Sequence, residues 1–167
     1  MEIAQAKAFE IFRDMEDGEI KRFCEKGTQM TIPAEEQFIT EGEVGDSIYL
    51  LTAGEVEVTK ALTLPLTKGR IDNREKAMIH ITSDMYPVFG EMSLFDDGDR
   101  RTANVKSITE CELVKITKED LYEVCKTDPS IGYKLMRNLG RIITRKLVKA
   151  NQDVLKLTTA FSLILER

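Results

Sequence analysis

The chain has 167 residues, 42% hydrophobic and 32% charged, enough to bury one core and too apolar to remain disordered. It has no apolar run near the roughly 20 residues that a spanning helix needs, and its start, MEIAQAKAFEIF, lacks the basic and apolar regions of a secretory signal. The net charge of −5 is uneven: residues 134–167 hold eight Lys/Arg against two Asp/Glu, so a basic tail follows an acidic body.

Residues 1–167 read as a single domain in three parts. In residues 1–27, Phe9, Phe12, Met15, Ile20 and Phe23 recur mostly at helical spacing and are interrupted near Asp17-Gly18, which predicts two short helices divided by a turn at that pair. Residues 28–116 change to short β-type runs, QFITE, SIYLLT, EVEVTK, AMIHIT and CELVKI, separated by Gly, Asp and Pro signals. That pattern predicts a small antiparallel jelly-roll barrel. Within it Ala61 to Lys76 (ALTLPLTKGRIDNREK) reads as a long hairpin connection without a strand pair of fixed register.

Residues 117–167 return to helical patterning. TKEDLYEVCK opens with Thr117 as N-cap and acidic residues in its first turn, and Asp128-Pro129 marks a stop and a restart. A long helix follows from about Ser130. Along it Ile143, Leu147, Ala150, Val154, Leu157, Phe161 and Ile164 are spaced alternately by four and three, a heptad seam of about three repeats. A helix of nearly forty residues spans more than about 50 Å, longer than a small barrel can cover, which predicts a parallel homodimer through this seam. The alternative is a stripe packed on its own barrel. Lys134, Arg137, Arg141, Arg145 and Lys149 form a second stripe, read as a solvated face, with an acidic partner surface as its alternative. The fold class is therefore mainly β with flanking helices: a jelly-roll barrel, N-terminal helices and a long C-terminal helix.

Few catalytic designs fit the residues present. His80 is the single histidine, which argues against metal hydrolases, histidine-assisted nucleophiles and metal-dependent enzymes on barrels of this kind. Cys24, Cys111 and Cys125 are odd in number and far apart, as expected for core thiols in a reducing, cytoplasmic setting. Asp96-Asp97-Gly98-Asp99 lacks the alternation and closing glutamate of a calcium loop.

The informative segment is 89–105, FGEMSLFDDGDRRTANV, too polar for a strand and set between two of them. Gly90 lets the backbone approach a ligand, and Glu91 to Phe95 suit one helical turn whose free N–H groups face an anion. Arg101 supplies a planar fork for phosphate oxygens, Glu91 an acceptor for a sugar hydroxyl, Thr102 a hydroxyl, and Ala103 room for a flat base. Read without a ligand, Glu91 and Arg101 make an ion pair that closes the loop, and Arg100 is a solvated neighbour. Gly42, Gly45 and Gly54 read as turn glycines needing positive φ.

This segment resembles the phosphate-binding cassette of cyclic nucleotide-binding domains, and EGEVGDSIYLLTAGEVEV (41–58) resembles that family's glycine-rich strand and turn pattern. The resemblance implies a non-enzymatic sensor for a cyclic purine monophosphate, with no other cofactor and no metal. Arg101 would hold the cyclic phosphate, Glu91 the ribose 2′-hydroxyl, and Gly90, Met92, Ser93, Thr102 and Ala103 would line the pocket. Asn151, on the long helix, would touch the purine. Cyclic AMP is favoured over cyclic GMP, although Thr102 suits either. Two departures stand out. The approach Ser83-Asp84-Met85-Tyr86-Pro87-Val88 is longer than the family's Gly-Asp turn and stiffened by proline, and Arg167 leaves no room for a helix-turn-helix, so neither nucleic acid nor membrane is an expected partner. The competing expectation is a degenerate domain that keeps the fold and serves as a dimeric interaction module.

Overall fold

The acidic residues of the second helix decide where the amino-terminal segment bends. The computed structural model describes residues 1–61, 64–66, 70–72, 75–95, 98 and 100–165. Helix α1 (Ile3–Ala6) and a 3-10 turn (Glu10–Phe12) precede α2 (Asp17–Lys26). Asp17-Gly18 therefore begins a helix and does not divide two. The Glu16 and Glu19 side chains form a reciprocal capping box there, with Asp17 in the positively polarised first turn, so the break moves upstream to residues 13–16.

Two antiparallel four-stranded sheets follow. One has the order β1 (Thr28–Ile32), β10 (Cys111–Thr117), β3 (Ser47–Ala53), β8 (Val88–Phe89); the other has β2 (Gln37–Ile39), β9 (Asn104–Ser107), β4 (Glu55–Ala61), β7 (Glu75–Thr82). This is a jelly roll. Strand β3 shows why SIYLL is apolar without alternation. Ile48 and Leu50 pack under the helices with Phe9, Phe12, Phe23, Leu121 and Leu135, while Tyr49 and Leu51 point between the sheets against Phe89, Val105 and Leu113. A strand covered on both faces has no polar side to show.

The connection between β4 and β7 is more regular than the sequence implies. Strands β5 (Leu64–Leu66) and β6 (Arg70–Asp72) pair antiparallel with Leu64 opposite Asp72. This pair forms a two-stranded sheet of its own, which an apolar/polar pattern broken by Pro65 does not reveal. The remainder of the 61–76 stretch lies outside the described residues, as do Asp96, Asp97 and Asp99 of the acidic run.

Helix α3 (Lys118–Thr127) starts where its cap places it, with Thr117 Oγ1 accepting from the Asp120 N–H at 3.1 Å. Asp128 then caps α4 (Pro129–Leu165): its Oδ1 accepts from the N–H groups of Ser130 (3.0 Å) and Ile131 (3.3 Å), with proline at the first helical position. Ile131, Leu135, Leu139 and Ile142 bury one face of α4, and from residue 144 onward every described residue of the helix is exposed.

The basic stripe of α4 is a solvated face only in part: Arg141, Arg145 and Lys149 are exposed, yet four of its five members meet carboxylates of the same chain. Lys134 bonds Glu19 (2.7 Å), Arg137 and Arg141 reach Asp14 (2.7 and 3.6 Å), and Arg145 pairs with Glu10. Buried Asn138 reinforces this by donating to the carbonyls of Ile11 (3.1 Å) and Arg13 (2.7 Å). The acidic partner of the stripe is the chain's own amino-terminal segment. Among the described residues, no helix is long and apolar enough to cross a membrane.

Candidate functional site

Strand β8 delivers the chain to Gly90, whose φ of +80° turns it into a 3-10 turn over Glu91–Leu94. The approach reaches β8 through a second 3-10 turn (Ser83–Met85) and Tyr86 in the left-handed region at φ +48°, where its ring packs edge-on against Phe9 at 5.4 Å. The proline-stiffened approach is thus tied to the amino-terminal segment.

Arg101 enters from the opposite side and its side chain is buried. Its Nη1 donates to the Ser47 carbonyl (2.8 Å), the Ser93 hydroxyl (3.2 Å) and the Gly90 carbonyl (3.4 Å); Nη2 donates to Ser47 Oγ (3.2 Å), and the guanidinium stands 5.6 Å from the Tyr49 ring centre. Burial pushes its pKa below the ordinary arginine value, while Tyr49, Asp46, Glu91 and Glu43 pull it back up. Two glycines make room for it. A Cβ on Gly90 would lie 2.1 Å from Arg101 Nη1, and one on Gly45 would lie 2.5 Å from Arg101 Nε and 2.6 Å from Ser93 Oγ. Gly42 and Gly54 do have positive φ, whereas Gly45 does not and is a glycine because Arg101 and Ser93 fill the space.

Among the described residues no carboxylate lies within ion-pair distance of Arg101, and Glu91 is not its partner. Glu91, 1% exposed, accepts from Lys146 of α4 at 2.7 Å, and Lys146 Nζ also lies 3.4 Å from the Val88 carbonyl. Among the described residues, the direct contacts of this buried cation are carbonyl oxygens, hydroxyls and a ring face, with carboxylates acting on it only from beyond ion-pair distance. Uncharged acceptors solvate such a group without neutralising it, and an anion would complete it.

The structure brings Gly90, Glu91, Ser93 and Arg101 together. Met92 lies 42% exposed at the rim, where Thr102 Oγ1 donates to its sulfur at 3.6 Å, and Ala103 is half-buried beside them. Arg100 is exposed and donates to the Gly42 carbonyl at 2.7 Å, bracing the 41–45 loop. Asn151 is not part of this cluster: it is exposed on α4, five residues beyond Lys146 and so about 140° around the helix from the side that meets Glu91. Three contributors were missed in the sequence. Gly45 and Ser47 act across 54 or more positions, which local patterning does not register. Lys146 did leave a signal, as a cation four and seven residues beyond Ile142 and Leu139 on the buried stripe of α4.

The model of the cyclic nucleotide-binding domain family matches residues 29–128, a span that includes both sheets' central strands and the whole cassette. The chain belongs to that family. Within it, this domain is 30% identical over 136 residues to a Mycobacterium tuberculosis protein described as a CRP-like cAMP-activated global transcriptional regulator, covering 81% of this chain and 55% of that one. The fold is shared with a cyclic nucleotide-binding domain from Methylobacillus flagellatus (TM-score 0.74, 24% identity, 92% of this chain and 80% of the other). It is also shared with the catabolite activator protein of Thermus thermophilus (TM-score 0.72, 21% identity, 89% and 63%). The chain spans about half the length of the curated CRP-type relatives it matches. Proteins of this CRP-like regulatory family are typically not enzymes.

Proposed function

We propose that residues 1–167 act as one sensor unit for a cyclic purine monophosphate, with Arg101 taking the phosphate and Glu91 the ribose 2′-hydroxyl. The observation that carries this reading is the buried guanidinium of Arg101, flanked by Gly45 and Gly90 and left without an ion-pair partner among the described residues. Gly90 and Ser93 touch the guanidinium, and in this reading Met92, Thr102 and Ala103, near it in the chain, supply the remaining ligand contacts. Cyclic AMP is the preferred ligand, in keeping with the cAMP-activated relatives. The work done is binding, with no chemical step.

The exposed half of α4 supports a parallel homodimer. Leu147, Val154, Leu157, Phe161 and Ile164 are each 58–70% exposed in one copy and lie on one stripe with Ile143 and Ala150. Apolar side chains at that spacing are stable in water when a second helix covers them. Three free thiols, at Cys24, Cys111 and Cys125, agree with a reducing, cytoplasmic location. Calorimetric titration with cyclic AMP and cyclic GMP tests the function. Arg101→Ala is expected to lose ten-fold or more in affinity, from about 1.5–3 kcal/mol in charge-assisted hydrogen bonds. A folded Arg101→Ala protein that binds as the wild type does refutes the pocket.

A further inference from the structure

We infer that the groove between the amino-terminal segment and α4 is a second anion site, which takes a small ligand bearing two or more phosphate groups. The groove, of about 550 Å³, follows α4 from Arg137 to Arg145 and is walled on its other side by Glu10 and Arg13. That volume falls in the range of small-molecule sites, roughly 300–1,000 Å³. It shares no lining residue with the Arg101 cassette. Four arginines line it, Arg13, Arg137, Arg141 and Arg145, and the carboxylates that pair with them are two, Glu10 and Asp14. Two positive charges are left over.

The donors of these arginines are under-used. Arg137 gives Nη2 to Asp14 at 2.7 Å, while its Nε is buried with no hydrogen-bond partner. Arg141 is held loosely, 3.6 Å from Asp14 and 3.5 Å from Asn138 Oδ1. Among the described residues, nothing bonds or pairs with the Arg13 side chain. Planar guanidinium forks match phosphate oxygens, so a phosphate chain supplies the acceptors that Glu10 and Asp14 do not. The walls are fixed, because buried Asn138 ties α4 to the carbonyls of Ile11 and Arg13. Gly140 keeps the floor open: a Cβ there would meet nothing within 4 Å, so packing does not require a residue that weakens a helix interior. The eight residues from Arg137 to Arg145 rise about 12 Å. An extended peptide, at about 3.3 Å per residue, would lay only about four residues along them. A stable protein interface needs far more, about 800 Å² per partner, which favours a compact polyanion.

The test is calorimetric titration of the full chain with inorganic pyrophosphate in metal-free buffer, using Arg101→Ala as the background so that the cassette does not contribute. One pyrophosphate per chain is expected. Adding Arg13→Gln and Arg141→Gln together, both exposed and neither in a close ion pair, should keep the melting temperature and cost about ten-fold or more in affinity. Gly140→Gln, which puts a side chain into the groove, should weaken binding by several-fold while the melting temperature holds or rises. An Arg101→Ala protein that binds no pyrophosphate overturns the site. So does a double glutamine variant that binds within two-fold of its background. Glutarate or a tetraglutamate peptide bound as tightly as pyrophosphate overturns the phosphate assignment and makes the groove a seat for carboxylates.

Discussion

Replacing Gly45 by alanine separates the position of Arg101 from its presence. Gly45 has an ordinary φ, so alanine meets no backbone penalty, and the whole effect arises where the new methyl group points. Its Cβ would lie 2.5 Å from Arg101 Nε, 2.6 Å from Arg101 Cζ and 2.6 Å from Ser93 Oγ. Ordinary contacts start near 3.4 Å, so the guanidinium must retreat by about 1 Å. It cannot do so freely, because Gly90 and the Ser47 carbonyl close the other side. A shift of that size disrupts charge-assisted hydrogen bonds worth about 1.5–3 kcal/mol, or about 10- to 150-fold in affinity. Overpacking should cost about 1–3 kcal/mol of stability, and each kcal/mol lowers the melting temperature of a domain this size by about 2–4 °C. Calorimetric titration with cyclic AMP, beside a thermal melt, reads both quantities. Gly18→Ala, where a Cβ meets nothing within 4 Å, is the control and should bind as the wild type does. A Gly45→Ala protein within two-fold of wild-type affinity would show that anion binding does not depend on this placement of Arg101.

Leu157→Asp should move the protein towards monomer in sedimentation velocity, since it sets unpaired charges against each other in an apolar seam at a cost of several kcal/mol, roughly what three heptads supply. A dimer indifferent to the change would place the interface elsewhere. Acid stability should depend on Glu19. Its pKa is held below its ordinary 4.5, chiefly by the hydrogen bond from Lys134, so its contribution is complete above about pH 4.5 and is lost as pH falls through the lower folded value. The melting temperature of Glu19→Gln should thus lie below that of the wild type near neutral pH and converge with it in acid; a gap that stays constant with pH excludes this linkage.

Much of the barrel was legible because its signals are local. EVEVTK opens on alternating charged and apolar residues, CELVKI is a short apolar-rich run, Thr117 stands three residues before the N–H it caps, and Asp128-Pro129 punctuates two helices. The cassette was legible because Gly90, Glu91 and Arg101 lie within a dozen residues. What surrounds Arg101 was not, since Gly45 and Ser47 are brought to it by backbone bonds between the 42–44 loop and Arg100-Arg101, far apart in the chain. The ion pairs of the basic stripe were missed for the same reason: its periodicity is helical and polar, as on any solvated face, and its acidic partners are more than a hundred residues away in Glu10, Asp14 and Glu19. Charge pairing over that distance leaves no trace in composition or spacing.

In the proposed sensor, the exposed half of α4 has the geometry of a lever arm. Its fulcrum is at Lys146, where the last described tie to the cassette is made, and Leu165 lies about 29 Å further along the helix axis. A tilt of about 5° at the fulcrum, small enough for side chains to absorb without leaving their rotamers, carries the far end through about 2.5 Å. In the proposed homodimer that exceeds the tolerance of interdigitated side chains in a packed seam, so a change too slight to disturb the barrel would still force two such arms to repack against each other.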